Sequence, residues 1–132
     1  MQATTPDTNG RLILEQFLAA TERKDYAAMA NLAHPEIEMW WPQSGERFVG
    51  RDNALGALLA TEEKPEFAGE PRIVGEGSSW VLTMPLRYGA DLYHYAGIFE
   101  LQDGLLRRST EFFGAPFPAQ PARARFAAPP EA

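Results

Sequence analysis

The stretch from Asp103 to Phe113, D-G-L-L-R-R-S-T-E-F-F, sets a carboxylate, Glu111, against the bulky apolar Phe112 and Phe113 at the end of what reads as a last strand. A carboxyl group in such surroundings can move protons near neutral pH, because desolvation raises its pKa above the reference of ~4.3. If Glu111 points inward among Trp41, Trp80, Tyr95 and Phe113, the chemistry is general acid/base catalysis on a small aromatic or polycyclic carbonyl compound. Glu111 would take or return a proton at carbon, and Tyr95 across the strand pair would donate to the developing enolate. The competing explanation is a carboxylate paired with Arg107 or Arg108, which needs no turnover.

The turn before the strand decides between them. Asp103-Gly104 after an alternating apolar run is a strong hairpin signal, since Gly tolerates φ > 0. A three-residue Gln102-Asp103-Gly104 loop with a bulge pairs Leu101 with Leu105, Gly97 with Ser109 and Tyr95 with Glu111, which puts Glu111 in the apolar interior. A two-residue loop pairs Ala96 with Glu111, turns the carboxylate to the other face beside His94, and buries Leu106 and Phe112.

The elements that must hold this strand follow from periodicity. Ile13, Leu14, Phe17, Leu18 and Ala20 recur at helical spacing over Arg11 to Arg23, with Thr8 or Asn9 as cap. Asp25 is placed to cap a second, short helix through Ala33, stopped by His34-Pro35. Glu36 to Trp41 alternates as a strand with Ile37, Met39 and Trp41 on one side, and Pro42 ends it. A brief extended piece around Phe48-Val49 precedes a third helix from Arg51 to Thr61. Glu62 to Pro71 reads as a surface connection with Phe67 tucked inward. Strands at Arg72 to Gly75, Trp80 to Tyr88 and Leu92 to Leu101 then form a meander. A tight Gly89-Ala90 turn sets Met84 opposite Tyr95 and Leu82 opposite Gly97. One face then collects Trp80, Leu82, Met84, Tyr93, Tyr95, Phe99 and Leu101, and it must be covered by the helices or by another chain. Thr83, Arg87, His94, Ile98 and Glu100 share the other face, where His94 suits a dimer interface.

Composition narrows the partners. The chain of 132 residues is long enough for one domain that buries roughly 68–70% of its unfolded surface. It has no cysteine, which excludes disulfides, thiolate metal sites and a Cys nucleophile. With 18 acidic and 12 basic residues the formal charge is −6, which repels phosphate backbones and anionic membranes. Nucleic acid and membrane are therefore not expected as partners, and no stretch approaches the ~18 apolar residues of a spanning helix. A cytoplasmic location is expected. His34, His94 and the scattered carboxylates lack ligand spacing, and no glycine-rich phosphate loop follows a strand, so neither metal nor cofactor is expected.

Taken in order, the two helices, L-A-H-P-E-I-E-M-W-W-P, S-G-E-R-F-V-G, a third helix and a meander ending D-G-L-L-R-R-S-T-E-F-F resemble the SnoaL-like branch of the nuclear transport factor 2-like superfamily over about residues 11 to 114. The tail motif F-G-A-P-F-P-A is also similar to endings of that branch. The resemblance implies an α+β, cystatin-like cone: a curved, mixed but mainly antiparallel sheet wrapped around three N-terminal helices, with an apolar cavity, often as a homodimer. It divides the chain into a flexible N-terminus (1–10), the domain (11–114) and a Pro/Ala-rich tail (115–132). In SnoaL-type cyclases the acid/base lies seven residues past the turn glycine, a position held here by Glu111. The position of the proton-shuttling Asp of ketosteroid isomerase holds Trp41, and that of its second acid falls near Ala96 or Gly97. The Arg and Asp of limonene epoxide hydrolase have no counterpart in Thr83-Met84-Pro85. The two-His constellation of scytalone dehydratase would need His34 and His94, at a helix end and on the polar face.

The implied function is a cyclase-, isomerase- or lyase-type enzyme acting on a small hydrophobic molecule. Glu111 and Tyr95 are its expected catalytic pair, and Phe17, Met39, Trp41, Trp80, Met84, Tyr93, Phe99 and Phe113 its expected binding surface. A non-catalytic binding domain for an apolar ligand, or a structural dimerisation domain, stands as the alternative.

Overall fold

The apolar periodicity at the N-terminus forms α1 (Pro6–Arg23), which begins at Pro6 instead of Arg11. The computed structural model describes residues 6–60 and 65–129, so the first half of the expected flexible N-terminus, residues 1–5, and the expected helix end at Thr61 lie outside the described residues, while the second half is helical. Lys24 closes α1 in a left-handed conformation, φ 57°. Its N–H donates to the Thr21 carbonyl at 3.0 Å and the Asp25 N–H to that of Ala20 at 2.9 Å, a closure that satisfies terminal carbonyls and usually employs glycine. Asp25 at once caps α2 (Tyr26–Leu32), its carboxylate accepting from the Ala28 N–H at 3.1 Å. Ala20, Met29 and Leu55 of α3 (Arg51–Ala60) bury one another and fix the three helices together.

Among the described residues seven strands make one sheet: β1 (Ala33–Trp41), β2 (Glu46–Val49), β3 (Glu66–Phe67), β4 (Arg72–Glu76), β5 (Ser79–Tyr88), β6 (Asp91–Gln102) and β7 (Leu105–Gly114). The order is β2-β1-β7-β6-β5-β3, with β4 also paired to β5. β1 and β7 run parallel and the other pairs antiparallel, so the sheet is mixed but mainly antiparallel, as expected. The three helices cover its inner face in an open α+β cone. β1 begins at Ala33, so His34-Pro35 belong to the strand instead of preceding it. The pairings Met84–Tyr95 and Leu82–Gly97 form as the Gly89-Ala90 turn requires. β3 lies in the segment expected to be a surface connection. Its Phe67 is half-buried, as the sequence suggests.

The last hairpin follows neither expected register. Asp103 and Gly104, at φ 55° and 74°, form a two-residue turn between Gln102 and Leu105, the geometry that matches strand twist. Leu101 pairs with Leu106, not Leu105, but Glu100 pairs with Arg108, leaving Arg107 as one extra residue in β7. Beyond that bulge Phe99 faces Ser109, Gly97 faces Glu111 and Tyr95 faces Phe113. The physical reason is a clash of period: Leu106 is 1% exposed and Ser109 2%, an odd spacing that a regular strand cannot bury on one side. The bulge buries both, and Phe112 is left on the outer face.

After Gly114 residues 115–129 are exposed throughout and form no regular structure except one 3₁₀ turn at Pro121–Phe126, flanked by Gln120 and Ala127 in extended conformations. Among the described residues no helix is long and apolar enough to cross a membrane.

A left-handed L-residue costs roughly 1 kcal/mol relative to glycine. Lys24→Gly is therefore expected to raise unfolding stability by up to about 1 kcal/mol, read by urea denaturation with an unchanged m value. A loss of stability would mean that the Lys24 side chain, not the backbone, governs that corner.

Candidate active site

Inner positions of β5, β6 and β7 meet α1, α3 and the end of β1 around a cavity of about 440 Å³. Its wall is apolar, built from Phe17, Leu58, Phe67, Leu82, Leu86 and their neighbours, and Glu111 interrupts it. The exposed lining residues Glu22, Lys24 and Glu66 mark the open end.

Glu111 is 6% exposed. Tyr95 Oη donates to its Oε1 at 2.8 Å and Ser109 Oγ to its Oε2 at 2.8 Å. Both donors follow from the register, since Ser109 lies two residues back on the same strand face and Tyr95 reaches diagonally from β6. Gly97, directly opposite Glu111, makes the reach possible. A Cβ there would stand 2.5 Å from the Tyr95 hydroxyl and 2.7 Å from the Phe99 ring. The Trp41 indole N–H lies near the same carboxylate but outside hydrogen-bonding geometry, and its buried Nε1 finds no partner among the described residues.

No cation among the described residues pairs with Glu111. Arg107 and Arg108, the expected competitors, lie on the outer face with Glu36, Glu38 and Glu100 at 3.8–4.0 Å. Burial accordingly pushes the Glu111 carboxyl above the ordinary glutamic acid value, opposed in part by Tyr95, Ser109 and the indole N–H, which favour the anion. Burial also drives the Tyr95 phenol well above its ordinary value, with the Glu111 charge and hydrogen bond adding to it.

Phe113 is held edge-on to Trp41 at 5.4 Å and tilted against Tyr95 at 5.3 Å. Gln43 from the β1–β2 turn clamps its backbone, accepting from the Phe113 N–H and donating to its carbonyl at 3.1 Å. The end of β7, and with it the aromatic side of the cavity, is thereby tied to β1.

Of the expected binding residues, Phe17, Trp41, Met84, Phe99 and Phe113 line the cavity together with Glu111 and Tyr95. Met39, Trp80 and Tyr93 do not. Met39 is buried beside Ser109 in the sheet. Trp80 lies under Gly10 of α1, where a Cβ would come within 2.1 Å of its Nε1, and donates to the Gly77 carbonyl at 2.9 Å. Tyr93 stacks tilted on Tyr88 at 4.6 Å. Tyr95 faces Phe113, not Glu111, and its hydroxyl is engaged with the carboxylate. Ser109, which the sequence places only as a register partner of Gly97, joins the site through its hydrogen bond to Glu111, and its two-residue spacing from that carboxylate is the signal that marks it. His34 Nδ1 accepts from the Glu36 N–H at 3.0 Å and His94 is exposed on the outer face, so the two histidines share no site. Among the described residues no three His, Asp or Glu side chains gather as a metal site.

No family model matches the sequence, and no curated protein matches it. Solved structures do. A protein provisionally named a ketosteroid isomerase from Kribbella flavida DSM 17836 superposes with TM-score 0.88 at 21% identity, covering 98% of this chain and 96% of that one. A nuclear transport factor 2-like protein of unknown function from Burkholderia xenovorans LB400 gives TM-score 0.80 at 28% identity, covering 94% and 97%. The chain has the nuclear transport factor 2-like fold. A protein from Sinorhizobium meliloti, provisionally named a polyketide cyclase, shares this fold at TM-score 0.64 and 18% identity, over 75% of this chain and 92% of that one.

Because the folded chain holds the Glu111 proton more tightly than the unfolded chain, the neutral form stabilises the fold. That contribution is fully present below the unfolded pKa of about 4.3 and is lost as pH rises through the higher folded pKa. The unfolding free energy of the natural chain minus that of Glu111→Gln should fall across this window and level off above it. A difference that grows with pH would mean that the anion is the favoured form.

Proposed function

We propose that the chain is a small-molecule enzyme of the SnoaL-like kind, in which Glu111 is the general acid/base for a cyclisation or isomerisation of an apolar, aromatic or polyketide-like ketone. The observation that carries this is a carboxylate with no cation partner among the described residues, raised in pKa by burial, in the wall of a 440 Å³ apolar cavity. A volume of this size suits a compact ring system.

Ionised Glu111 takes a proton from the carbon beside the carbonyl, and the C–H electron pair moves into the enolate. Returning the proton to another carbon completes an isomerisation. Attack of the enolate carbon on a second carbonyl, whose oxygen receives the proton, completes an aldol closure. Tyr95 and Ser109 orient Glu111 and oppose part of its pKa rise. Their hydrogens are already donated to the carboxylate. The donor role toward the enolate oxygen, expected of Tyr95, therefore passes to Trp41, whose buried N–H has no partner among the described residues. Phe17, Met84, Phe99 and Phe113 would hold the rings.

The chain would act as a homodimer through the outer sheet face. Consecutive pairings align Val74, Val81, Ile98, Thr110 and Trp40 in one row across five strands, and four of these five are exposed large apolar residues. Phe112 extends the patch in the next row.

Glu111→Gln preserves shape but cannot shuttle a proton. With polycyclic ketones it is expected to slow deuterium exchange at the carbon beside the carbonyl by about 10²–10⁴-fold, with ligand affinity kept within about threefold. If Glu111→Gln exchanges as fast as the natural chain while Trp41→Ala abolishes binding, the cavity is a carrier site and the enzymatic proposal is wrong.

A further inference from the structure

Lys24 lines the mouth of the cavity and holds a left-handed backbone, φ 57°. Asp103, also at positive φ, sits in an Asp-Gly hairpin turn that favours its side chain, whereas a long side chain at a helix end gives up the ease that glycine would provide. Residues kept in such conformations cluster at ligand sites, where stability is traded for function. Neither packing nor the helix dipole calls for this lysine. Its side chain is exposed, and Arg23 already stands in the last turn of α1, paired with Asp25 at 3.4 Å.

Two side-chain donors on the described cavity wall have no partner among the described residues: the Trp41 N–H beside Glu111 and the Lys24 ammonium at the mouth. Tyr95 is committed to Glu111 at 2.8 Å, and Thr21, from the same end of α1 as Lys24, donates to the Phe17 carbonyl at 2.7 Å. The two free donors stand at opposite ends of the cavity. Glu111 is 6% exposed at the closed end, and no cation contributes to the shift of its carboxyl. Between them the wall is apolar, so the complementary ligand has an acceptor at each end and hydrocarbon in the middle.

Charge decides what the outer acceptor is. The chain carries −6, and its field repels a dissolved anion unless a local cation stands at the entrance. Lys24 is such a cation. Glu22 and Glu66 share the rim from ordinary helix and strand positions that need no ligand to explain them. They set a limit: one ammonium can match one carboxylate, but a phosphate with nearly two charges would meet two acids.

Resting on the ketone reading above, we infer that the substrate is a keto acid: an apolar ring ketone whose single carboxylate lies on the Lys24 ammonium at the cavity mouth, while its carbonyl reaches the Trp41 N–H beside Glu111. Lys24 is then a specificity-determining residue. By holding the carboxylate it fixes which way round the ring system enters, so that the carbon beside the ketone, and not the opposite edge, meets Glu111.

Calorimetric titration of the full chain with three probes tests this: a tetralone bearing a carboxylate on the aromatic ring remote from its ketone, the methyl ester of that acid, and the matching aminomethyl tetralone. The carboxylate should bind at least about threefold more tightly than the ester or the amine, by a margin that shrinks as salt is raised. Lys24→Gly, which suits the left-handed corner and so keeps the fold, should erase that margin, and Lys24→Glu should reverse it in favour of the amine. Because the readout is a ratio between probes on one protein, a general loss of stability does not imitate it. A carboxylate that binds no more tightly than its ester, or a preference that survives in Lys24→Gly, would overturn the anion site, while deuterium exchange of the ester would leave the ketone reading standing. A Lys24-dependent preference without exchange of either ketone supports the anion site and removes the acid/base reading instead. A natural chain that binds none of the three overturns both.

Discussion

A carboxylate taken out of water without a counter-charge is costly, and in this fold two hydroxyls offset part of that cost. Glu111 receives Tyr95 on one oxygen and Ser109 on the other, and the surrounding architecture serves that arrangement. Ser109 shares its strand, so the pair is set by a two-residue spacing. Tyr95 comes from β6 and reaches Glu111 only because Gly97 leaves the intervening position empty. The arginines nearest in sequence are drawn to the opposite face by Glu36, Glu38 and Glu100, which keeps those two guanidinium groups away from the Glu111 carboxylate.

The bulge at Arg107 makes these demands compatible. Leu106 must be buried before it and Ser109, Glu111 and Phe113 must point inward after it, so the alternation has to change phase once. The extra residue does this at the outer face, where its guanidinium donates to the Glu36 carbonyl at 2.7 Å and binds β7 to β1. The same β1–β7 contact, tightened by Gln43 at Phe113, holds Trp41 beside the carboxylate. Local backbone irregularity thus becomes the geometry of the site.

Much of the fold was legible because its signals are local. Helical spacing located α1 and α3, Asp25 announced α2, and the Gly89-Ala90 turn fixed the β5–β6 register and hence the apolar face. The inward direction of Glu111 was reached through a three-residue loop, whereas the chain uses a two-residue loop and a bulge; both give the same face because their registers differ by two. What escaped depends on distant packing. Nothing near Trp80 shows that Gly10 of α1 will cover it, and nothing near Met39 shows that it lies between strands instead of at the cavity. Likewise β3 is two residues long and owes its pairing to Leu86 and Arg87. The position of the buried Trp41 N–H beside Glu111, without a hydrogen-bond partner among the described residues, is invisible in a sequence because it depends on how β1 packs against β7.

The most direct measurement is the titration of the Glu111 carboxyl by carbon-detected magnetic resonance, assigned with Glu111→Gln. A midpoint clearly above that of ordinary glutamic acid, rising further in Tyr95→Phe as one donor is lost, is the predicted result. A midpoint at or below the ordinary value would mean a solvated or ion-paired carboxylate and would contradict the acid/base site.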